Sequence, residues 1–183
     1  MSRVGNKPIR LPEGVDARID NGEITVTGKN GKLSLVYHPK MSVDYDQETK
    51  EIRVSRPSDQ KQDRALHGLT RSLINNMVQG MTNYFEKRLE IVGVGYQAIL
   101  DGKVLNLNVG YANTVKLTVP DIVICELPDN THVVLKSADK QAVGQFAAEV
   151  RGVQPPEPFK GKGIRYQDEH VRRKAGKAFA GGA

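Results

Sequence analysis

Short runs of alternating apolar and polar residues fill most of the chain, each bounded by turn residues. Two longer stretches switch to an apolar step of three and four. The alternation predicts strands over residues 15–20, 23–27, 32–37, 42–45 and 51–55 in the first half. In the second half it predicts strands over 88–100, 103–109, 114–119, 122–126 and 132–136. Asn21-Gly22, Asn30-Gly31 and Asp101-Gly102 are hairpin signals between them. The helical step appears first at Leu66, Leu69, Leu73 and Met77, which predicts a helix buried along that stripe, capped by Ser58 or Asp59 and ended by Gly80. It returns at Val143, Phe146, Ala147 and Val150, where Pro155 and Pro156 forbid continuation.

The two helical segments match each other. Residues 58–73 and 138–153 align without a gap at an offset of 80, pairing Asp59 with Asp139, Leu66 with Phe146, Arg71 with Arg151 and Leu73 with Val153. Each follows its own series of strands. The expected architecture is therefore α+β: two tandem duplicated domains, each a small, mostly antiparallel sheet system packed on one helix, followed by a basic C-terminal extension. The bounds are residues 1–82, 83–154 and 155–183. Domains of about 75 residues are marginal alone, so each is expected to draw rigidity from the other or from a partner.

Composition excludes whole classes of protein. Of 183 residues, 38% are hydrophobic and 26% charged, which rules out wholesale disorder. The longest mostly apolar stretch, 91–100, is interrupted by Gln97 and is too short to span a bilayer, and no apolar run follows the basic N-terminus as in a signal peptide. A cytoplasmic protein without a membrane partner is expected. Cys125 is the single cysteine, which excludes an intrachain disulfide and a Cys-only zinc site; between Ile124 and Leu127 it reads as a packed strand thiol.

The net charge of +6 is concentrated at the ends. Residues 1–10 carry +3, residues 11–150 carry −2, and residues 151–183 carry +5. In the C-terminal segment the cations are interleaved with Gly161, Gly163 and Gly176 and with the rings of Phe159 and Tyr166. Bare backbone, cations and flat rings together suit a structured polyanion better than a solvated face.

No catalytic or cofactor constellation stands beside this. The chain lacks a phosphate-binding loop and a Gly-x-Ser-x-Gly elbow. Gly93-Val94-Gly95 lacks the third glycine of a dinucleotide fingerprint and reads as a bulge or close backbone contact inside a long strand. His38, His67, His132 and His170 are scattered, so no metal is expected. Asp168, Glu169 and His170 are consecutive and cannot readily converge on one substrate atom, which leaves a hydrolase as a remote alternative, marked by a closed pocket around His170. No cofactor and no small-molecule substrate are expected. On the first helix Arg64, Arg71 and Asn75 lie on overlapping faces and suit phosphate contact or plain solvent exposure; His67 reads equally as a partly exposed polar residue or an RNA contact.

From Pro155 the chain reads PPEPFKGKGIRYQDEHVRRKAGK. The prolines stiffen the exit from the second helix, Lys160 to Gly163 bring two ammonium groups and bare backbone to one spot, and 164–166 with 171–173 are expected to pair as a short hairpin, one helical turn being the alternative. Removing everything after Gln154 is expected to leave a folded body.

This segment resembles the C-terminal signature of the bacterial large-subunit ribosomal protein six family (ribosomal protein L-six). The resemblance extends to the opening SRVG-x-KPI, to RPSD, to RALHG with TRSLINNMV, to GVGY and to DKQ-x-VGQ. Asn6 and Gln154 stand where the family often has Lys and Arg, and Phe159 where it often has Tyr. The resemblance implies a non-enzymatic, cytoplasmic constituent of the large ribosomal subunit that binds 23S-type rRNA near the base of the factor-binding stalk and the sarcin-ricin loop. It implies neighbouring large-subunit proteins as partners, with translational GTPases close by. The implied rRNA contacts are Lys160, Gly161, Lys162, Gly163, Arg165, Tyr166, Arg172, Arg173, Lys174 and Lys177, with Arg3 and Lys7 at the other end. A free RNA- or DNA-binding module and a protein-docking scaffold are the alternatives from other classes.

Overall fold

Asn21 and Gly22 both hold positive φ, 44° and 82°, the geometry a two-residue turn needs to match the twist of the strands it joins. The computed structural model describes residues 5–174. Their contacts divide the chain into two units: residues up to Phe85 with Ala138–Lys140, and Glu86–Ser137 with the residues from Gln141 onward.

The first unit contains β1 (Ile9–Arg10), β2 (Asp16–Asp20), β3 (Glu23–Gly28), β4 (Gly31–Val36), β5 (Ser42–Asp46), β6 (Glu51–Ser55) and α1 (Lys61–Thr82). Two antiparallel sheets result, β2-β3-β4 and β1-β6-β5. Alternate residues point inward, so Ile24 and Val26 of β3 and Ile52 and Val54 of β6 join Ile74, Met77, Val78 and Met81 of α1 in one core. Gly28 and Gly31 are partners, so the β3–β4 turn falls on Lys29 and Asn30 rather than on Asn30-Gly31. The Asn30 side-chain amide is thereby free to donate to the Gly80 carbonyl at 2.8 Å.

Helix α1 departs from expectation in its face and its ends. Leu69 is 55% exposed and Leu66 only partly buried, while Asp63, His67, Thr70, Ile74, Met77, Val78 and Met81 face the sheets. Gln60 is the N-cap and makes no side-chain capping bond; Ser58 instead donates from its hydroxyl to the Asp63 carboxylate. Gly80 does not stop the helix, which continues to Thr82: a Cβ there would lie 1.9 Å from the Ala138 carbonyl oxygen, so this glycine answers a close backbone approach.

The second unit contains β7 (Phe85–Val92), β8 (Gln97–Asp101), β9 (Val104–Asn108), β10 (Val115–Thr118), β11 (Ile124–Asp129), β12 (His132–Ser137), α2 (Lys140–Val153) and β13 (Gly163–Tyr166). Its sheets run β10-β9-β8 and β11-β12-β7-β13. The buried stripe of α2 is Val143, Phe146, Ala147 and Val150, as the helical step predicts. The long strand expected over 88–100 is two strands, separated where Gly93 to Tyr96 turn and Gly95 adopts φ 75°. Asp101 pairs with Val104, so the next turn falls on Gly102-Lys103, one residue later than the Asp101-Gly102 signal.

The end of the described chain corrects two expectations. Gly163–Tyr166 pair antiparallel with Val92–Leu89 of β7, not with residues 171–173 as a hairpin. Ile164 is wholly buried, so removing the chain after Gln154 would take away both a sheet edge and a core residue. A folded body is not the expected product of that truncation.

Candidate nucleic-acid interface

The C-terminal cations are set out by backbone hydrogen bonds. After α2, the Ile164 N–H donates to the Gln154 carbonyl at 2.7 Å, and Glu157 N–H to the Lys162 carbonyl at 2.9 Å, which closes residues 157–162 into a loop. Gly163 takes φ 137° and leaves 2.6 Å between its missing Cβ and the Pro155 carbonyl oxygen; no larger residue fits that bend. Lys174 N–H donates to the Pro158 carbonyl at 2.7 Å, which brings the last described residues back along the loop. The Arg173 guanidinium comes to rest 3.4 Å from where a Gly161 Cβ would be.

These bonds gather Lys160, Lys162, Arg172, Arg173 and Lys174 at one tip. Lys160, Arg172, Arg173 and Lys174 are exposed, and Lys162 is half-buried. Among the described residues none of the five has a carboxylate within ion-pair distance, although Asp168 and Glu169 are near in sequence. Unpaired cations at this density repel one another and attract phosphate.

Arg165 and Tyr166, expected at the same contact surface, are taken up by the fold. The Arg165 guanidinium donates from Nε and Nη2 to Oε2 of Glu90 on β7, at 3.0 and 2.8 Å. Arg151 of α2 pairs with Glu169 in the same way, the hydrogen bond from Arg151 holding the Glu169 carboxyl below its ordinary range and Glu169 raising Arg151 in return. The Tyr166 ring has the Lys87 ammonium 5.6 Å and the Arg151 guanidinium 5.9 Å from its centroid. Sequence reasoning missed Glu90 and Glu169 as anchors because a charge count treats every arginine as free. The antiparallel pairing that sets Arg165 opposite Glu90 has no local signal in the chain.

The other candidates are dispersed. Arg3 and Lys177 lie outside the described residues; Lys7 is exposed. Arg71 donates from Nε to the Lys7 carbonyl at 3.1 Å, fastening that segment to α1. Arg64 is exposed, and Asn75 lines a groove of about 530 Å³ with Arg10, Gln79 and Asn83. His67, expected at least partly at the surface, is buried: its Nε2 donates to the Val54 carbonyl at 2.7 Å, and Nδ1 accepts from Arg56 at 2.7 Å. Neither ring nitrogen is left for RNA.

His170 is exposed, and the adjacent cleft of about 710 Å³ is lined by Glu86 to Arg88 and Tyr166 to Glu169 without it, so the closed pocket that a hydrolase would need is not formed there. Among the described residues no group of three or more His, Cys, Asp or Glu is placed to hold a metal ion, and no helix is long and apolar enough to cross a membrane. Cys125 is half-buried on β11, and burial first and Glu126 second push its thiol up to about 11, an unreactive group at neutral pH.

The duplicated units, each two sheets with one helix, and the basic tip can be set against known proteins. A sequence profile of the family described as Ribosomal protein L6 matches residues 11–83 and again residues 92–167. The chain belongs to the ribosomal protein L6 family. Its relatives within the L6 family include the large ribosomal subunit protein uL6 of Caldicellulosiruptor bescii, 52% identical over 182 residues, which covers 100% of this chain and 99% of the relative. The protein of the same name from Carboxydothermus hydrogenoformans is 49% identical over 177 residues, covering 97% and 96%. That from Rhodopirellula baltica is 49% identical over 178 residues, covering 97% and 98%. The two L6 matches correspond to the internal repeat, and the L6 family is one of structural ribosomal proteins without enzymatic activity.

Proposed function

We propose that this chain is a structural constituent of the large ribosomal subunit in the cytoplasm, where it holds folded 23S-type rRNA near the base of the factor-binding stalk and the sarcin-ricin loop and so supports assembly and translation. Neighbouring large-subunit proteins are its other partners, and translational GTPases dock nearby. The observation that carries the reading is the tip: Lys160, Lys162, Arg172, Arg173 and Lys174 stand together without an ion-pair partner among the described residues, on a loop aimed by α2 and β13.

The chemistry is neutralisation and shape. Folded RNA presents phosphate ridges beside a wide, shallow minor groove, and a rigid loop of ammonium and guanidinium groups lies against such a ridge without reading sequence. Gly161 and Gly163 are themselves buried and serve by letting the loop bend rather than by touching RNA. Each neutralised phosphate releases counterions, so affinity falls steeply with salt. Arg165 and Tyr166 serve by holding β13, and with it the loop, to β7. Exposed Lys7 offers a smaller cationic contact on the first unit, where Arg10 is already paired with Glu51 at 3.1 Å.

Lys160→Ala with Lys162→Ala is expected to weaken binding to protein-free 23S-type rRNA and to flatten the slope of log affinity against log salt by about 1.5. Thermal stability should stay unchanged, because neither ammonium has a carboxylate partner among the described residues. Unaltered affinity and slope would count against the tip as the contact.

A further inference from the structure

The turn between β7 and β8 presents an apolar side chain where a hydrophilic one is expected. Val94 is 91% exposed, more than any other large hydrophobic residue described. The turn that carries it is fixed: Tyr96 N–H donates to the Gly93 carbonyl at 3.3 Å, and the Tyr96 ring occupies the space a Gly93 Cβ would need, 2.5 Å from that position. The same ring reaches Gly110, whose missing Cβ would lie 2.5 Å from the Tyr96 hydroxyl oxygen. Next to Gly110, Tyr111 is 53% exposed, and its hydroxyl donates to the Val153 carbonyl at 3.0 Å, which holds one edge of the ring and leaves a face in solvent.

These residues are continuous with the basic tip. Val92, where β7 ends, pairs with Gly163, where β13 begins, so the turn carrying Val94 starts beside the loop carrying Lys160 and Lys162. Val153, which anchors Tyr111, directly precedes Gln154 and Pro155, whose carbonyls cradle Gly163. From Val92 to Gln97 and from Val109 to Val115 there is no charged residue, although a quarter of the chain is charged.

We infer that Val94 and Tyr111 form an uncharged half of the RNA contact surface, with Val94 set against ribose and base edges in a shallow minor groove and the Tyr111 ring stacked on an unpaired base. The inference rests on the reading of the tip as an RNA-binding element. RNA is the occupant that the surroundings favour. Neutral, glycine-bared backbone beside a cluster of free cations matches a nucleotide's uncharged edge lying next to its phosphate. An apolar wedge bordered by cations is likewise how proteins enter a minor groove.

The test is binding to protein-free 23S-type rRNA across a salt series. Val94→Ser with Tyr111→Ala should weaken affinity about ten-fold with the salt slope unchanged, because stacking and apolar contacts release no counterions. Tyr111→Phe, which keeps the ring, should bind nearly as the parent does. Val94→Ser alone touches no packed group and keeps the test valid if Tyr111→Ala perturbs folding. If the Val94 and Tyr111 variants bind as the parent while Lys160→Ala with Lys162→Ala weakens binding, this inference fails and the proposed function stands. If neither set weakens binding, both fail together. Normal binding to bare rRNA with poor retention in assembled subunits would mean that a protein covers the patch, which also overturns it.

Discussion

Helices α1 and α2 occupy matching places in the two repeats, yet three of the positions they bury in common are polar in α1 and apolar in α2. At the repeat offset of 80, buried Asp63, His67 and Thr70 of α1 correspond to buried Val143, Ala147 and Val150 of α2. The first set is tolerable because nearly every polar atom is satisfied. His67 bridges the Val54 carbonyl and Arg56, Arg56 holds Asp59 at 2.7 Å, and Ser58 donates to Asp63. Gly5 lies directly on the His67 ring, so the buried network also seats the start of the described chain. In α2 the same layer is hydrocarbon, and its polar fastening has moved outward to the Arg151–Glu169 pair. A helical face can thus keep its geometry through duplication while exchanging its chemistry.

The sharpest way to break the comparison is to move the polar residue into the copy that lacks its partners. Val143→Asp should destabilise the protein by about 4 kcal/mol, since no hydroxyl corresponding to Ser58 awaits the carboxylate. Chemical denaturation will read this as a large fall in midpoint. The reciprocal exchange, Asp63→Val with Ser58→Ala, removes donor and acceptor together and also removes Asp63 Oδ1, which is buried without a partner. Its expected cost is within about 1 kcal/mol. A large loss there would show that the two faces are not equivalent.

The smallest expected effect is a pH dependence. The Glu169 carboxyl is lowered by its hydrogen bond from Arg151, so the pair stabilises the fold above the ordinary carboxylate range and ceases to as pH falls through the lowered value. Glu169→Gln should therefore cost less than about 1 kcal/mol at neutral pH, the pair being partly exposed, and nothing once the parent is itself protonated. Melting curves of parent and variant should converge in acid.

The same comparison explains what could be read from the chain in advance. Strand alternation and Asn-Gly pairs located the hairpins of the first unit to within a residue or two, because both are local. The stripe of α2 was legible because its buried residues are all apolar. That of α1 was not: counting leucines selected a face that includes exposed Leu69, while the face actually buried carries Asp63, His67 and Thr70, and the partners of Asp63 and His67 on β6 and in the loop after it cannot be inferred from spacing. The basic tip was visible as composition. Its division into free cations and arginines committed to Glu90 and Glu169 depends on β13 joining β7, a pairing between segments some 75 residues apart. Gly80 looked like a helix terminator because a contact with Ala138 leaves no mark in the local sequence.

The central claim is that the loop after α2 grips rRNA, and it is tested most directly by ultraviolet crosslinking of intact large subunits followed by identification of the peptides that carry nucleotides. Crosslinks on the segment holding Lys160, Lys162 and Arg172 to Lys174 are the predicted result. Nucleotides recovered on the sheets of the first unit alone, with that segment unmodified, would contradict it.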